Sequence, residues 1–200
     1  DNGCTRAGAA YVFRRNAVTD EWEAEQMLKA PNAHGSAQFG YSVAISGDTI
    51  VVGADGEKGC TVGVVNGNGT EYPVSTSCGS SGAAYVFVNS QELSQWTAQA
   101  YLKAANPTSS AHFGSGVAID GNTIVVGAGS ESSCTSTIVN GASGYPTDTA
   151  CPYTGAARGP TARRRPRFCR RRCGRRRPLP LPPSPPCAGI VMRWPSHAQA

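Results

Sequence analysis

The sequence predicts an all-β protein: a partial β-propeller of about two four-stranded blades plus the start of a third, with a disordered Arg/Pro-rich C-terminal tail. Three observations carry this. Residues 8–67 return at residues 82–141 with a constant offset of 74, and Gly155-Ala156-Ala157 opens a third copy that stops. Self-similarity at a fixed period marks an array of like structural units. Within each copy, short runs of aromatic and β-branched residues are separated by turn residues, the pattern of strands. Finally, the composition breaks at residue 158. Residues 1–157 carry six Lys/Arg and all thirteen Asp/Glu, a charge of −7. Residues 158–200 carry twelve Arg, no acid and nine of the fourteen prolines, a charge of +12. The overall net charge of +5 therefore describes neither part.

The elements follow in order. Ala9–Arg14 and its copy Ala83–Val88 are strands, rich in Tyr, Val and Phe and bounded by Gly and polar residues. Glu23–Ala30 and Thr97–Ala104 hold Ala, Glu, Gln and Leu, which favour helix. A strand there completes a four-stranded unit, and strand is the expectation. Tyr41–Ser46 and Thr49–Ala54 are joined by Gly47-Asp48, and their copies by Gly121-Asn122. Two-residue links of this type suit a tight hairpin, because Gly and Asn accept positive φ. A unit of four short strands cannot bury both faces of its sheet alone. Stacking units around an axis does, which makes a propeller and gives the repeated Tyr, Phe and Trp a place between blades. The expected divisions are 1–7, the end of a preceding blade; 8–81, the first repeat; 82–154, the second; 155–157, the start of a third; and 158–200, the tail.

The rest of each unit reads as a long loop, Asp55–Ser81 and Gly129–Thr154, rich in Gly, Ser, Thr and Asn. Cys60 and Cys78 bracket the first loop, and Cys134 and Cys151 stand at matching places in the second. The expectation is two loop-stapling disulfides, since neither loop has a Cys-x-x-Cys pair or a nearby His that would suit zinc. Cys4 precedes Gly8 by four residues, as Cys78 precedes Gly82 and Cys151 precedes Gly155. By that phase it closes a loop whose first half lies upstream, so a further unit is expected before Asp1. Paired, repeat-phased cysteines imply an oxidising compartment. Asn68-Gly69-Thr70 is a glycosylation acceptor pattern. Together these point to an extracellular or cell-surface location.

The run Phe39-Gly40-Tyr41-Ser42-Val43-Ala44-Ile45 … Val52-Gly53-Ala54, with its copy Phe113-Gly114 … Val126-Gly127-Ala128, resembles the FG-GAP repeat, which builds the propeller of integrin alpha subunits and many surface proteins. The resemblance covers residues 4–157. It implies a propeller and a non-catalytic adhesion or ligand-binding role, with a protein or glycan ligand and further blades as partners. Asp55 and Gly129 stand where the motif ends in Pro. In integrin-like repeats an Asp-rich loop between the two strands holds Ca²⁺, which needs six to eight oxygen ligands. Here the link is two residues long, with Asp48 in one copy and Asp120 beside the other. No cofactor and no metal are expected.

No catalytic pattern is present: no Gly-x-Ser-x-Gly, P-loop, His-Glu-x-x-His or Rossmann fingerprint. His34 and His112 do not coincide under the repeat, and surface or packing roles are expected for both. The scattered carboxylates, Asp55, Glu57, Glu131 and Asp148 among them, read as solvated charge. No stretch is apolar enough for a membrane span. A second reading makes this an accessory propeller of a secreted hydrolase. A third gives the Arg tail a polyanion-binding role, toward nucleic acid or heparin-like chains. Against the third, the tail begins where the third copy should continue Tyr-Val-Phe. Arg and Pro codons read one base later encode the residues in which the repeats are rich, so a frame change near residue 157 explains its composition and its abrupt onset. The remaining fragment would expose strand edges and is expected to aggregate or be unstable.

Overall fold

The computed structural model describes residues 4–68, 72–90, 95–135 and 138–140. Among them are nine strands: β1 Ala10–Arg15, β2 Trp22–Leu28, β3 Phe39–Ser46, β4 Thr49–Ala54, β5 Val64–Asn66, β6 Ala83–Ser90, β7 Gln95–Leu102, β8 Phe113–Asp120 and β9 Thr123–Ala128. The ambiguous segment after Trp22 is a strand because it has a partner: β2 runs antiparallel to β1, from Ala10 opposite Leu28 to Arg15 opposite Trp22. That pairing outweighs the helical leaning of its Glu, Gln and Ala. The two-residue links are hairpin turns, with Ser46 opposite Thr49 and Asp120 opposite Thr123. Gly47 and Gly121 have φ of 52° and 50°. Positive φ at the first central residue alone is what a type II′ turn requires.

The strands form three sheets: β1-β2, β3-β4-β6-β7-β5 and β8-β9. This makes the chain a partial β-propeller, and it corrects the expectation of a four-stranded unit within one repeat. The blade straddles the repeat boundary. The last two strands of the first repeat, β3 and β4, pair with the first two of the second, β6 and β7. The junction is a ladder from Thr49 opposite Val88 to Ala54 opposite Ala83. Physically, this covers the open edge of the β3-β4 hairpin with the hairpin of the next repeat. A second correction concerns the Asp55–Ser81 segment, read as loop throughout. It contributes β5, which adds to the outer edge of β7. The tail and most of the second long loop lie outside the described residues.

Successive hairpins interlock through glycines. Gly8 and Gly82 have φ of 86° and 81°, and each forms a parallel bridge, to Phe39 and Phe113 respectively. A Cβ on either would lie 2.0 Å from that phenylalanine's carbonyl oxygen, so only glycine fits. The connections repeat in phase. Ser36, Gln38 and Phe39 donate to the carbonyls of Thr5, Arg6 and Ala7, as Ser110, His112 and Phe113 donate to those of Gly79, Ser80 and Ser81.

The core lies between the β1-β2 hairpin and the five-stranded sheet. Phe39, Ile50, Val52, Tyr85, Phe87, Trp96 and Tyr101 of the sheet are buried with Leu28, against which Ala10 and Val12 also pack. Phe39 meets Tyr85 edge-on at 5.3 Å, and Tyr85 meets Tyr101 at 5.4 Å, geometries favoured by the ring quadrupole. The Gln26 amide clamps the strand opposite, accepting from Trp96 N at 2.8 Å and donating to Trp96 O at 2.9 Å. Glu25 accepts from the Trp96 indole at 3.2 Å and pairs with Arg14 at 3.0 Å, which holds its carboxyl below the usual carboxylate range. The repeated aromatics take interblade positions only in the second copy. Tyr85, Phe87 and Trp96 are 1–5 % exposed. Their counterparts Tyr11, Phe13 and Trp22 are 57–70 % exposed, because no described sheet lies on that side.

Candidate functional site

The densest polar cluster forms where the segment after β4 passes the end of β7. Ala54 O accepts from Glu57 N, a turn that directs the Glu57 side chain inward to full burial. Lys103 follows β7 directly, and its side chain is also fully buried. Lys103 Nζ donates to Glu57 Oε2 at 2.5 Å and to Ser81 Oγ at 2.8 Å. Tyr101 OH donates to the same carboxylate oxygen at 3.0 Å, and Gly59 N donates to Oε1 at 2.8 Å. Ser81 Oγ donates onward to Gly59 O at 3.0 Å. Burial pushes the Lys103 ammonium below its ordinary value, while Glu57 opposes that shift. Burial, with the negative charge of Glu57, pushes the Tyr101 phenol far up. A buried charge pair is tolerable when its other polar atoms are also satisfied, and here both carboxylate oxygens are. With both charged side chains at zero exposure, the cluster offers no atom to a substrate. It joins the loop of one repeat to the second strand of the next.

Asp55, Glu57 and Glu131 correct the reading of the carboxylates as solvated charge, while Asp20, Asp48 and Asp120 are exposed and Asp148 lies outside the described residues. Glu57 is fully buried, Asp55 is 6 % exposed and Glu131 8 %. Glu131 repeats the Glu57 arrangement, accepting from Ser133 N at 2.9 Å and from Asn106 Nδ2 at 3.1 Å. The signal was available: Glu57 and Glu131 recur at the repeat offset, as do Lys29 and Lys103. The two histidines sit beside these acids. His34 Nε2 lies 3.7 Å from Glu57 Oε1, and His112 Nδ1 lies 3.4 Å from Asp55 Oδ2.

Burial raises the Asp55 carboxyl above its ordinary value, with His112 and the Gly56 amide opposing. The folded state thus holds that proton to higher pH than the unfolded chain. The Asp55 contribution to stability is intact below the unfolded value and is lost as pH rises through the folded value. Asp55→Asn removes that loss. The melting temperature of the variant, relative to the unsubstituted protein, is expected to rise between about pH 3 and about pH 7 in thermal denaturation followed by circular dichroism. A difference that stays flat or falls would show that the His112 contact outweighs burial.

Cys60 and Cys78 form a disulfide with Cα atoms 5.3 Å apart. Cys134 is disulfide-bonded, and Cys151 lies outside the described residues. Cys4 is a free, exposed thiol. Asn68 is exposed beyond the end of β5, while Gly69 and Thr70 of its acceptor pattern lie outside the described residues. The hairpin turns do not fit calcium. Each is a two-residue link with one carboxylate in it or beside it, against the six to eight oxygens the ion takes. Among the described residues no group of three or more His, Cys, Asp or Glu is placed to hold a metal.

The family model described as the FG-GAP repeat matches residues 22–87 and 96–144. The first match runs from the start of β2 into β6 and so spans the blade junction. No curated protein and no solved structure matches the chain. Two in-phase matches, the interlocking Phe-Gly pairs and the paired Val-Gly-Ala strands lead to one conclusion: the chain belongs to the FG-GAP repeat family.

Proposed function

We propose that this chain is part of an extracellular or cell-surface propeller with a non-catalytic adhesion or ligand-binding role. The observation that carries the reading is the stapled segment after β4. The Cys60–Cys78 bridge ties a long loop whose Val62, Val64 and Val74 are exposed. A disulfide of this kind persists in oxidising compartments, and loops on a rigid sheet scaffold are where binding residues concentrate. The enclosed Glu57–Lys103 cluster supports a structural use of the buried charges, since no substrate can reach them. A glycan on Asn68 would project from the same loop. Among the described residues no helix is long and apolar enough to cross a membrane.

Antibody raised against the Asp55–Ser81 segment tests location and role together. Staining of intact, unpermeabilised cells is expected, as is attachment of those cells to surfaces coated with the protein. Val64→Asp and Val74→Asp should weaken attachment without changing the fold. Staining only after permeabilisation would overturn the location, and attachment indifferent to both substitutions would overturn the role of the loop.

A further inference from the structure

We propose that this chain cleaves its own backbone between Ser80 and Ser81, by an N-to-O acyl shift onto the Ser81 hydroxyl followed by hydrolysis of the resulting ester. The Glu57–Lys103 cluster admits no outside substrate, so the reaction stands beside the binding role and does not replace it. The cluster does border one of the chain's own peptide bonds. Ser81 is fully buried. Its Oγ accepts from Lys103 Nζ at 2.8 Å and donates to Gly59 O at 3.0 Å. Lys103 Nζ in turn contacts Glu57 Oε2 at 2.5 Å. A serine hydroxyl becomes a nucleophile when a neighbouring group can take its proton, and serine–lysine pairs are one form of that arrangement. Here the nucleophile and the carbonyl carbon belong to adjacent residues, so attack closes a five-membered ring and needs no encounter.

The carbonyl is held for the same step. The carbonyls of Gly79, Ser80 and Ser81 accept in succession from the backbone N–H of Ser110, His112 and Phe113, and His112 N lies 3.1 Å from Ser80 O. An amide aimed at an oxygen that gains negative charge stabilises the transition state. Ser80 has a φ of 52°, in the left-handed region that strains a residue with a Cβ, and rupture of the next peptide bond releases that strain. The other copies separate the turn from the hydroxyl. Arg6, one repeat earlier, has a φ of 58°, so the turn recurs. Ala7 and Gly155 stand at the positions that match Ser81, and Ala7 is buried in the same connection without a hydroxyl. The turn therefore does not need one to fold.

In the first step the Ser81 Oγ proton passes to Lys103 as a Lys103 proton passes to Glu57 Oε2. Oγ bonds to the Ser80 carbonyl carbon, and the negative charge falls on Ser80 O, opposite His112 N–H. The C–N bond then breaks. Its electron pair stays on the Ser81 nitrogen, which takes a proton from Lys103, and Lys103 recovers its own from Glu57. This leaves an ester between Ser80 and the Ser81 hydroxyl. In the second step water adds to the ester from the half-buried Ser80 side, giving a Ser80 carboxylate and a Ser81 with free α-amine and hydroxyl. Water is the only other reactant. The two pieces stay joined, because the ladder of β4 on β6 spans the cut. The Cys60–Cys78 bridge lies wholly on one side of it, so the cut frees one end of the stapled loop from β6.

Timed incubation of the folded, oxidised full chain, followed by denaturation and intact-mass spectrometry, tests this. Two fragments are expected, one ending at Ser80 and the other beginning at Ser81, accumulating at a rate independent of protein concentration. Hydroxylamine, which attacks esters, should speed that cut. It also opens Asn-Gly bonds such as Asn66-Gly67, so only the junction between Ser80 and Ser81 counts. Ser81→Ala, which installs the residue found at Ala7, should stay uncut at that junction with and without hydroxylamine. Far-UV circular dichroism reports whether the variant keeps its sheet. If it does not, Ser81→Gly, after Gly155, takes its place. An unsubstituted chain that stays whole at this junction in hydroxylamine, a folded Ser81→Ala or Ser81→Gly chain cut at the same bond, or a rate that climbs with protein concentration would each overturn the proposal.

Discussion

Replacing Lys103 with Met is expected to destabilise the protein by about 3–5 kcal/mol, the usual consequence of removing one partner from a buried ion pair. The ammonium gives Glu57 its only cationic hydrogen-bond donor in the described cluster, alongside Tyr101 and Gly59. Without it, a carboxylate at zero exposure must be protonated or drag water inward. At the size of this chain that loss corresponds to a fall of roughly 10 °C in melting temperature, measurable by circular dichroism. The double variant Lys103→Met/Glu57→Leu should recover most of it, since an apolar pair of similar volume is often neutral relative to a buried salt bridge. If the double variant is as unstable as the single one, the hydrogen bonds to Ser81, Tyr101 and Gly59 matter more than the charge pair.

The second large effect concerns the staple. Cys60→Ala with Cys78→Ala is expected to lower stability by about 3 kcal/mol in the chain-entropy model for a loop of this length, the sequence separation being 18. The loss should be local in character. The bridge closes the segment that contains β5, so β5 would fray from β7 before the ladder between β4 and β6 opens. Hydrogen exchange resolves the two. Faster exchange is expected at Gly67 N and Lys103 N, which donate to Gln99 O and Gly63 O, while Val51 and Val86 stay protected. Equal loss of protection at both places would mean that the staple supports the whole blade. Chemical reduction of the unsubstituted protein should reproduce the pattern.

Strands and hairpins were legible because their signals are local. The Gly47-Asp48 and Gly121-Asn122 turns, and the β-branched runs beside them, need only neighbouring residues to specify them. The blade was not legible, for a reason of principle. A periodic sequence carries no mark of where its structural unit begins, so four strands counted from Gly8 look as good as four counted from Phe39. Only the pairing of Ala54 with Ala83 decides. β5 escaped because three residues in a Gly- and Thr-rich segment make no pattern of their own; their order comes from the edge of β7. The Glu57–Lys103 cluster escaped for a different reason. Charged residues are taken as exposed by default, and the two lie 46 positions apart. Their recurrence in phase was visible, and phase was the property that should have overruled the default.

The straddling blade also bears on how the array carries tension. Neighbouring repeats are not beads joined by a string. To draw one away from the other, a load on the chain must peel β4 from β6 along its six register pairs and pull the Lys103 ammonium out of the Glu57 pocket. The linker that would otherwise swing freely is itself stapled and bound to the outer strand. The repeats therefore resist extension as one body, yielding at the ladder between them and not at a hinge.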